Sequence, residues 1–387
     1  MRYQRSPSRW RWCLVALVLT GLSCSGLSPL TGSSDDGGQS PTAVSAPSDG
    51  QATSEESEQE PASELSAVDL VTAGLSVNLV QLDGPASEVV VSPQDGYLVY
   101  GSPAVSPDGS QLAFLAGRLA ADKPVGKDLF VVNIDGSNLT LLTPDAELSV
   151  ESYEWSPDGR RIAFAAAPPG ESYNLYAVDP ASGEIAQLTE DGGWQLDWSP
   201  DGTLIAFSAF RADDYQIFTM NPDGSNQIQL TEPPGRSFRP RWSPDGTQLA
   251  FESDRDSSSQ TSDIYIINAD GSSRTRLTDD PFHEIQPSWS PNGARIAFLR
   301  QRIERKAAYD LVVMQPDGSG LLNLTEPILD DETVTELERA PLWLTDGTWI
   351  TYSGRDYLFY MFRADGSGHE SYSLGEANGE PALPPAP

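Results

Sequence analysis

Residues 242–278 read WSPDGTQLAFESDRDSSSQTSDIYIINADGSSRTRLT, and this stretch decides the fold. Trp242 leads into a tight turn, Ser243-Pro244-Asp245-Gly246, and then into the short apolar run Leu249-Ala250-Phe251. A second apolar run, DIYIIN at 263–268, is followed by another tight turn, ADGSS, and by a closing Leu277-Thr278. Asp-Gly turns supply the positive φ that tight hairpins demand. With the strand that carries Trp242, the unit predicts four short antiparallel strands.

The unit recurs along the chain. Ser-Pro-Asp-Gly stands at 106–109, 156–159, 199–202 and 243–246, Ser-Pro-Asn-Gly at 290–293, and Leu-Thr-Asp-Gly at 344–347. The spacings are 50, 43, 44, 47 and 54 residues. The acid or amide of each turn is Asp108, Asp158, Asp201, Asp245, Asn292 and Asp346. Trp155, Trp198, Trp242, Trp289 and Trp343 precede five of the six. Four strands at a period in the forties are what a propeller blade requires. The prediction is an all-β chain with a six-bladed β-propeller of four antiparallel strands per blade, seven blades being the alternative.

Alternation along a strand sends the Ile and Phe of each Ile-Ala-Phe run to one sheet face and the Ala to the other. Bulky residues on one face and a small one opposite let neighbouring blades stack closely. The tryptophan before each turn reads as a blade-to-blade packing residue rather than a ligand platform, because it recurs in nearly every unit.

The motif WSPDG-x-x-IAF, with SDRD at 253–256 and DIYIINADGSS before Leu-Thr, resembles the propeller repeat of the TolB family. Similar repeats occur in the propellers of dipeptidyl-peptidase and prolyl-oligopeptidase enzymes. The resemblance covers roughly residues 100–375 and implies a periplasmic propeller. Residues 67–100 are too short for the α/β domain that precedes the propeller in TolB proteins. A role in the Tol–Pal envelope system is therefore not carried over. The resemblance makes SDRD a repeat feature and Arg255 structural.

The amino terminus reads as an address. Arg2, Arg5, Arg9 and Arg11 precede the apolar run CLVALVLTGL at 13–22, which is too short for a permanent span. Thr20-Gly21-Leu22-Ser23-Cys24 resembles a bacterial lipobox, which implies cleavage after residue 23 and acylation of Cys24. An ordinary cleaved signal and an uncleaved anchor are the rival readings. Residues 24–66 follow as a Ser-rich acidic tether without Lys or Arg, unable to bury enough apolar surface to fold. Residues 67–374 are assigned to the propeller, with repeats from about 102, and 375–387 to a disordered tail. The runs SVNLVQL, EVVVS and YLVYGS between 75 and 102 are expected either to close the last blade or to form a degenerate seventh.

Within each unit the first-to-second and third-to-fourth turns are alike, whereas the second-to-third loops and the links between units vary. In a four-stranded meander the two variable classes emerge on one side of the disc, and binding residues favour variable loops on a rigid scaffold. On that face Arg236, Phe238, Arg239 and Arg241 open the fourth unit, His283 lies between units, and Arg300, Arg302, Arg305 and Lys306 cluster in the fifth. These form the candidate binding face for a carboxylate or phosphate ligand or an acidic partner. The competing expectation is that they pair with Glu304, Asp254, Asp256 and Glu284.

The 387 residues hold 56 acids against 24 basic residues, a net charge of −32. Such a surface repels phosphate backbones, which excludes general nucleic-acid binding. Cys13 and Cys24 are the two cysteines, and His283 and His369 the two histidines. Neither a disulfide framework nor a His-rich metal centre is expected, and no cofactor. There is no G-x-S-x-G elbow, no EF-hand spacing, and no residue set that selects a catalytic site. The expectation is a non-enzymatic, lipid-anchored extracytoplasmic module that binds an envelope protein or a small ligand. The alternatives are an envelope hydrolase or lyase using propeller carboxylates, and a cation-dependent sensor.

Overall fold

A computed structural model describes residues 68–73, 76–81, 88–91, 97–120, 123–144, 148–211, 213–256, 261–301, 309–325, 340–344, 346–353 and 358–373. Strands β1 (Val68–Ala73), β2 (Ser76–Gln81) and β3 (Glu88–Val91) form a three-stranded antiparallel sheet. Six four-stranded blades follow. The first holds β4 (Tyr97–Val105), β5 (Gln111–Ala120), β6 (Lys123–Asn133) and β7 (Thr140–Leu141). The second holds β8 (Ser149–Trp155), β9 (Ile162–Ala167), β10 (Asn174–Val178) and β11 (Ile185–Gln187). The third holds β12 (Trp194–Trp198), β13 (Ile205–Arg211), β14 (Asp214–Met220) and β15 (Ile228–Gln229). The fourth holds β16 (Ser237–Trp242), β17 (Gln248–Ser253), β18 (Asp263–Asn268) and β19 (Thr275–Arg276). The fifth holds β20 (Glu284–Trp289), β21 (Ile296–Gln301), β22 (Tyr309–Met314) and β23 (Leu322–Asn323). The sixth holds β24 (Leu342–Trp343), β25 (Trp349–Ser353), β26 (Leu358–Arg363) and β27 (His369–Ser373). Every strand pair is antiparallel, and β8, β12, β16, β20 and β24 approach one another in turn, so the first strands surround the axis.

The propeller has six blades, and the segment before it behaves differently from either expectation. SVNLVQL and EVVVS pair with each other and with Val68–Ala73, while YLVYGS is the start of β4. The fourth strand of the last blade is its own β27. β1 runs beside β4. A strand at Val68–Ala73 was not anticipated, because Asp69 and Thr72 interrupt its apolar pattern.

The core lies between blades, and its rule is small against large. Ala113 of the first blade shares a buried cluster with Ile162 and Phe164 of the second. Ala163 does so with Ile205 and Phe207, Ala206 with Leu249 and Phe251, and Ala250 with Ile296 and Phe298. Ala297 clusters with Ile350 of the sixth blade. Burying one such phenylalanine contributes about 1.5–3 kcal/mol.

The turns repeat atom by atom. In the third blade Ser199 Oγ donates to Asp201 Oδ1 at 2.6 Å, and the same oxygen accepts from Thr203 N and Oγ1. Ser156–Asp158, Ser243–Asp245 and Ser106–Asp108 repeat this contact, and Ser290–Asn292 repeats it with an amide oxygen. Asp346 accepts from Thr348 N. The Leu-Thr ending also has a structural use. Oγ1 of Thr143, Thr189, Thr231, Thr278 and Thr325 each accepts the main-chain N–H of a third-strand residue of its blade at 2.9–3.0 Å. No helix among the described residues is long and apolar enough to cross a membrane.

Candidate functional site

Each first strand except β24 carries an irregularity in its register with the second strand, at Tyr100/Ala104, Val150/Ser152, Trp194/Asp197, Phe238/Arg241 and Ile285/Ser288. In blades three, four and five the bulged residue is Gln195, Arg239 or Gln286, with φ of 50°, 50° and 57°. Left-handed backbone at a residue with a Cβ costs about 1–2 kcal/mol, and a bulge frees an N–H from the ladder. The neighbouring blade supplies the missing acceptors. Arg239 N donates to Ser208 Oγ at 3.1 Å, and Gln286 N donates to Glu252 Oε1 at 2.6 Å. Three residues beyond Arg239, Trp242 N donates to Asp197 Oδ2 at 2.6 Å.

The same carboxylates hold the arginines of β16. Arg239 Nη1 reaches both oxygens of Glu252 at 3.1 Å, and Glu252 is 2% exposed. Arg241 Nη1 contacts Asp197 Oδ1 at 3.3 Å. Glu154 faces the same guanidinium from β8. Burial pushes the Glu154 carboxyl up to about 7, against the pull of Arg241 and with the push of Asp197. Burial also raises Glu252 and Asp197. One guanidinium thus serves two carboxylates, both raised by burial.

Toward the loop face the character changes to aromatic. Trp194 opens β12, Phe210 ends β13, Tyr215 begins β14 and Phe238 begins β16. Their rings form one continuous cluster. Centroids lie 6.0 Å apart for Trp194–Tyr215, 6.4 Å for Trp194–Phe238, 5.0 Å for Phe210–Tyr215 and 5.1 Å for Tyr215–Phe238. Phe210 is 55% exposed. The Arg236 guanidinium lies 5.7 Å from the Phe238 centroid and is tied to Asp254, Nε to Oδ2 at 2.7 Å, with Arg236 N on Oδ1 at 2.6 Å.

Of the residues expected on the binding face, Arg236, Phe238, Arg239 and His283 come together. His283 Nδ1 accepts from Ser262 N at 2.9 Å. Burial lowers its pKa, as do Arg239 and Arg236. Arg241 sits deeper, on the axial strand against Asp197. Arg300 is paired within its own blade and with the link before it. Its Nε donates to Glu284 Oε1 at 2.7 Å, Nη2 reaches Asp280 at 2.6 Å, and the guanidinium lies over Phe282 at 4.9 Å. Burial pushes Glu284 up to about 7. Arg302, Arg305 and Lys306 lie outside the described residues, as do Cys24, the signal segment, the tether and the tail. Arg255 Nη1 donates to Glu232 O at 2.9 Å.

The recurring tryptophans face the preceding blade. Trp155 Nε1 donates to Ala104 O, Trp289 Nε1 to Arg241 O and Trp343 Nε1 to Ser288 O, each at 3.1 Å. Trp198 and Trp242 are buried in the clusters of their own interfaces. Among the described residues no group of three or more His, Cys, Asp or Glu lies together as a metal site. Sequence reading missed Trp194, Phe210, Tyr215, Gln195, Glu154, Asp197 and Glu252. A signal existed for two of the acids. The residue before each repeat tryptophan is Glu154, Asp197, Arg241 and then Ser288, so charges of both signs occupy one repeat position on adjacent blades.

Residues 195–385 match the family described as the TolB beta propeller domain. Over 95 residues, 24% of this chain, the sequence is 32% identical to Dipeptidyl-peptidase 5 of Porphyromonas gingivalis, and the match spans 14% of that protein. The fold is similar to TolB from Acinetobacter baumannii, with a TM-score of 0.54 and 18% identity over 79% of this chain and 77% of that one. It is also similar to an oligogalacturonate lyase in complex with manganese, with a TM-score of 0.57 and 15% identity over 79% of this chain and 85% of that one. The propeller is TolB-like. Identities this low speak for the fold, and function lives in the site.

Proposed function

We propose that this TolB-like β-propeller is a binding module without chemistry of its own, working on the extracytoplasmic side of a membrane. Its ligand or partner docks on the loop face, where the first strands of the third and fourth blades reach the axial mouth. The observation that carries this reading is the aromatic cluster of Trp194, Phe210, Tyr215 and Phe238, beside Arg236 and at the strand ends that open onto the axis. Aromatic side chains clustered at the surface beside an arginine are frequent anchors of recognition. The resemblance of residues 20–24 to a lipobox supports anchoring through Cys24.

The test uses the full chain as bait for detergent-solubilised envelope. A molecule retained by the wild type and lost with Phe210→Ser plus Phe238→Ala, in variants that melt like the wild type, supports the reading. Equal retention by both sinks it. For the anchor, Cys24→Ser is expected to move the protein out of the membrane fraction, and continued sedimentation with membranes overturns that part.

A second reading is catalysis by axial carboxylates. The Glu154 carboxyl, raised by burial and facing Arg241 and Asp197, is the observation in its favour, because an acid poised near neutrality suits proton transfer. Structural neighbours of both binding and catalytic kinds share this fold. Glycan or peptide turnover by the wild type that vanishes in Glu154→Gln selects it; turnover that survives the substitution rejects it.

A further inference from the structure

We propose that the aromatic cluster is a subsite for a neutral oligosaccharide, whose pyranose rings lie on it while their hydroxyls reach the ion pairs beside it. This rests on the loop-face binding reading above and adds the chemical class of the ligand.

The charge balance of the site selects that class. Arg236, Arg239 and Arg241 each have a carboxylate partner, in Asp254, Glu252 and Asp197. The site holds no spare cation among these three, so an acidic ligand gains no unpaired arginine, and it also meets the repulsion of a chain with net charge −32. A cationic ligand fares no better. The carboxylates already face guanidinium groups, and the four rings pack against one another, tilted or edge to face, instead of standing apart as a cage. His283 adds no charge in this arrangement, because its Nδ1 accepts a hydrogen bond and so carries no proton, and burial with the neighbouring arginines lowers its pKa. Its Nδ1 is an acceptor for Ser262 N, which places the proton on Nε2 as a donor.

What remains is an apolar surface next to paired donors and acceptors. A pyranose has that same division, a C–H face that lies on an aromatic ring and an equatorial rim of hydroxyls that each donate and accept. An arginine–carboxylate pair matches a hydroxyl on both counts. Tyr215, Phe238 and Trp194 form a triangle of rings 5.1–6.4 Å apart, and Phe210 extends it 5.0 Å beyond Tyr215, so the aromatic surface is wider than a single ring. Arg236 is held by Asp254 in one orientation next to Phe238, so the polar edge is organised before the ligand arrives.

The experiment titrates the full chain in detergent with cellohexaose, maltohexaose and chitohexaose, with hexagalacturonate as the acidic arm and a neutral hexapeptide as the peptide arm. Binding is read by calorimetry and by tryptophan fluorescence. At least one neutral hexasaccharide is expected to bind. Trp194→Ala and Phe210→Ser are each expected to weaken it at least about tenfold, and Trp194→Phe is expected to restore most of the affinity. Phe210 is exposed, so its variant tests the site without disturbing the core. Preference for hexagalacturonate or for the peptide, sugar affinity unchanged in both variants, or no binding of any neutral sugar at 10 mM (about 4.6 RT below the standard state) overturns the proposal. Envelope capture that still depends on Phe210 and Phe238 then leaves the binding reading standing without the sugar.

Discussion

The carboxylate of Glu252, on the second strand of the fourth blade, accepts the main-chain N–H of Gln286 in the fifth blade at 2.6 Å. Gln286 is left-handed, and its N–H has no place in its own ladder. Glu252 also holds Arg239 of its own blade through both oxygens. One buried side chain therefore joins two blades and fixes an arginine at the axial mouth. Glu252→Ala leaves a buried N–H and a guanidinium unpaired, and is expected to destabilise the chain by about 3–5 kcal/mol. Glu252→Gln keeps an acceptor for Gln286 and is expected to lose clearly less. Urea denaturation of both variants checks the order.

Ala250 tests the small-against-large rule between blades. It is fully buried and shares its cluster with Ile296 and Phe298. Ala250→Leu adds three carbons where the next blade already fills the space, at an expected loss of about 1–3 kcal/mol or more. Ala250→Gly is expected to lose less, because the neighbouring blade does not have to move. A melting temperature for Ala250→Leu equal to the wild type contradicts the packing described here.

Glu154 gives a pH signature. Its carboxyl stands near 7 when folded and at the ordinary 4.5 when free, so the folded chain binds the extra proton between those values. Stability from this group is present below about 4.5 and is lost as pH rises toward 7. Glu284, also raised to about 7, acts in the same direction. The stability difference between wild type and Glu154→Gln is expected to fall across that window, by on the order of 2 kcal/mol, and to stay level above it. Asp197 titrates together with Glu154 beside the charged Arg241, so the slope belongs to the pair. A difference that is flat from pH 4.5 to 7 contradicts the assignment of the proton.

Gly235 carries the approach to the site. Its φ is +85°, and a Cβ there would lie 2.2 Å from the Arg255 Cα. Its carbonyl also receives Gln216 Nε2 at 2.9 Å. Gly235→Ala is expected to destabilise by more than ~1 kcal/mol and to shift Arg236 from Asp254 and Phe238. Weakened ligand binding should accompany the lower melting temperature. The same substitution at Gly109, where the backbone is also left-handed but no atom lies within 4 Å of a Cβ, separates strain from collision.

Much of the architecture was legible before any coordinates. The period of the SPDG turns set the number of blades, because each turn closes one local hairpin. The Ile-Ala-Phe alternation predicted which face of each blade is thick and which is thin, and the clusters follow it from Ala113–Phe164 to Ala250–Phe298. These features are local, and a chain read in order displays them. The three-stranded sheet was less legible, since Val68–Ala73 has no repeat to match and its partners lie in Ser76–Gln81.

The candidate site divides along the same line. Arg236, Phe238, Arg239 and His283 were visible as a set because they sit on variable connections of a repetitive chain. Trp194, Phe210 and Tyr215 were not, since each belongs to a different strand of the third blade and only the folded sheet brings them together, with Phe238 of the fourth blade completing the surface. The sequence offered Arg241 no partner, and the fold gives it Asp197, 44 residues away; for Arg300 the expected pairing with Glu284, 16 residues away, is what the structure holds. The repeats by themselves determined the blade, its turns and its packing faces, because hairpin geometry and side-chain alternation act over a few residues. That Arg241 is neutralised by Asp197 of the preceding blade, and that Phe238 joins the rings of the third blade, was decided only by the closure of blade upon blade, because those interactions depend on distance in space and on burial that no single repeat possesses.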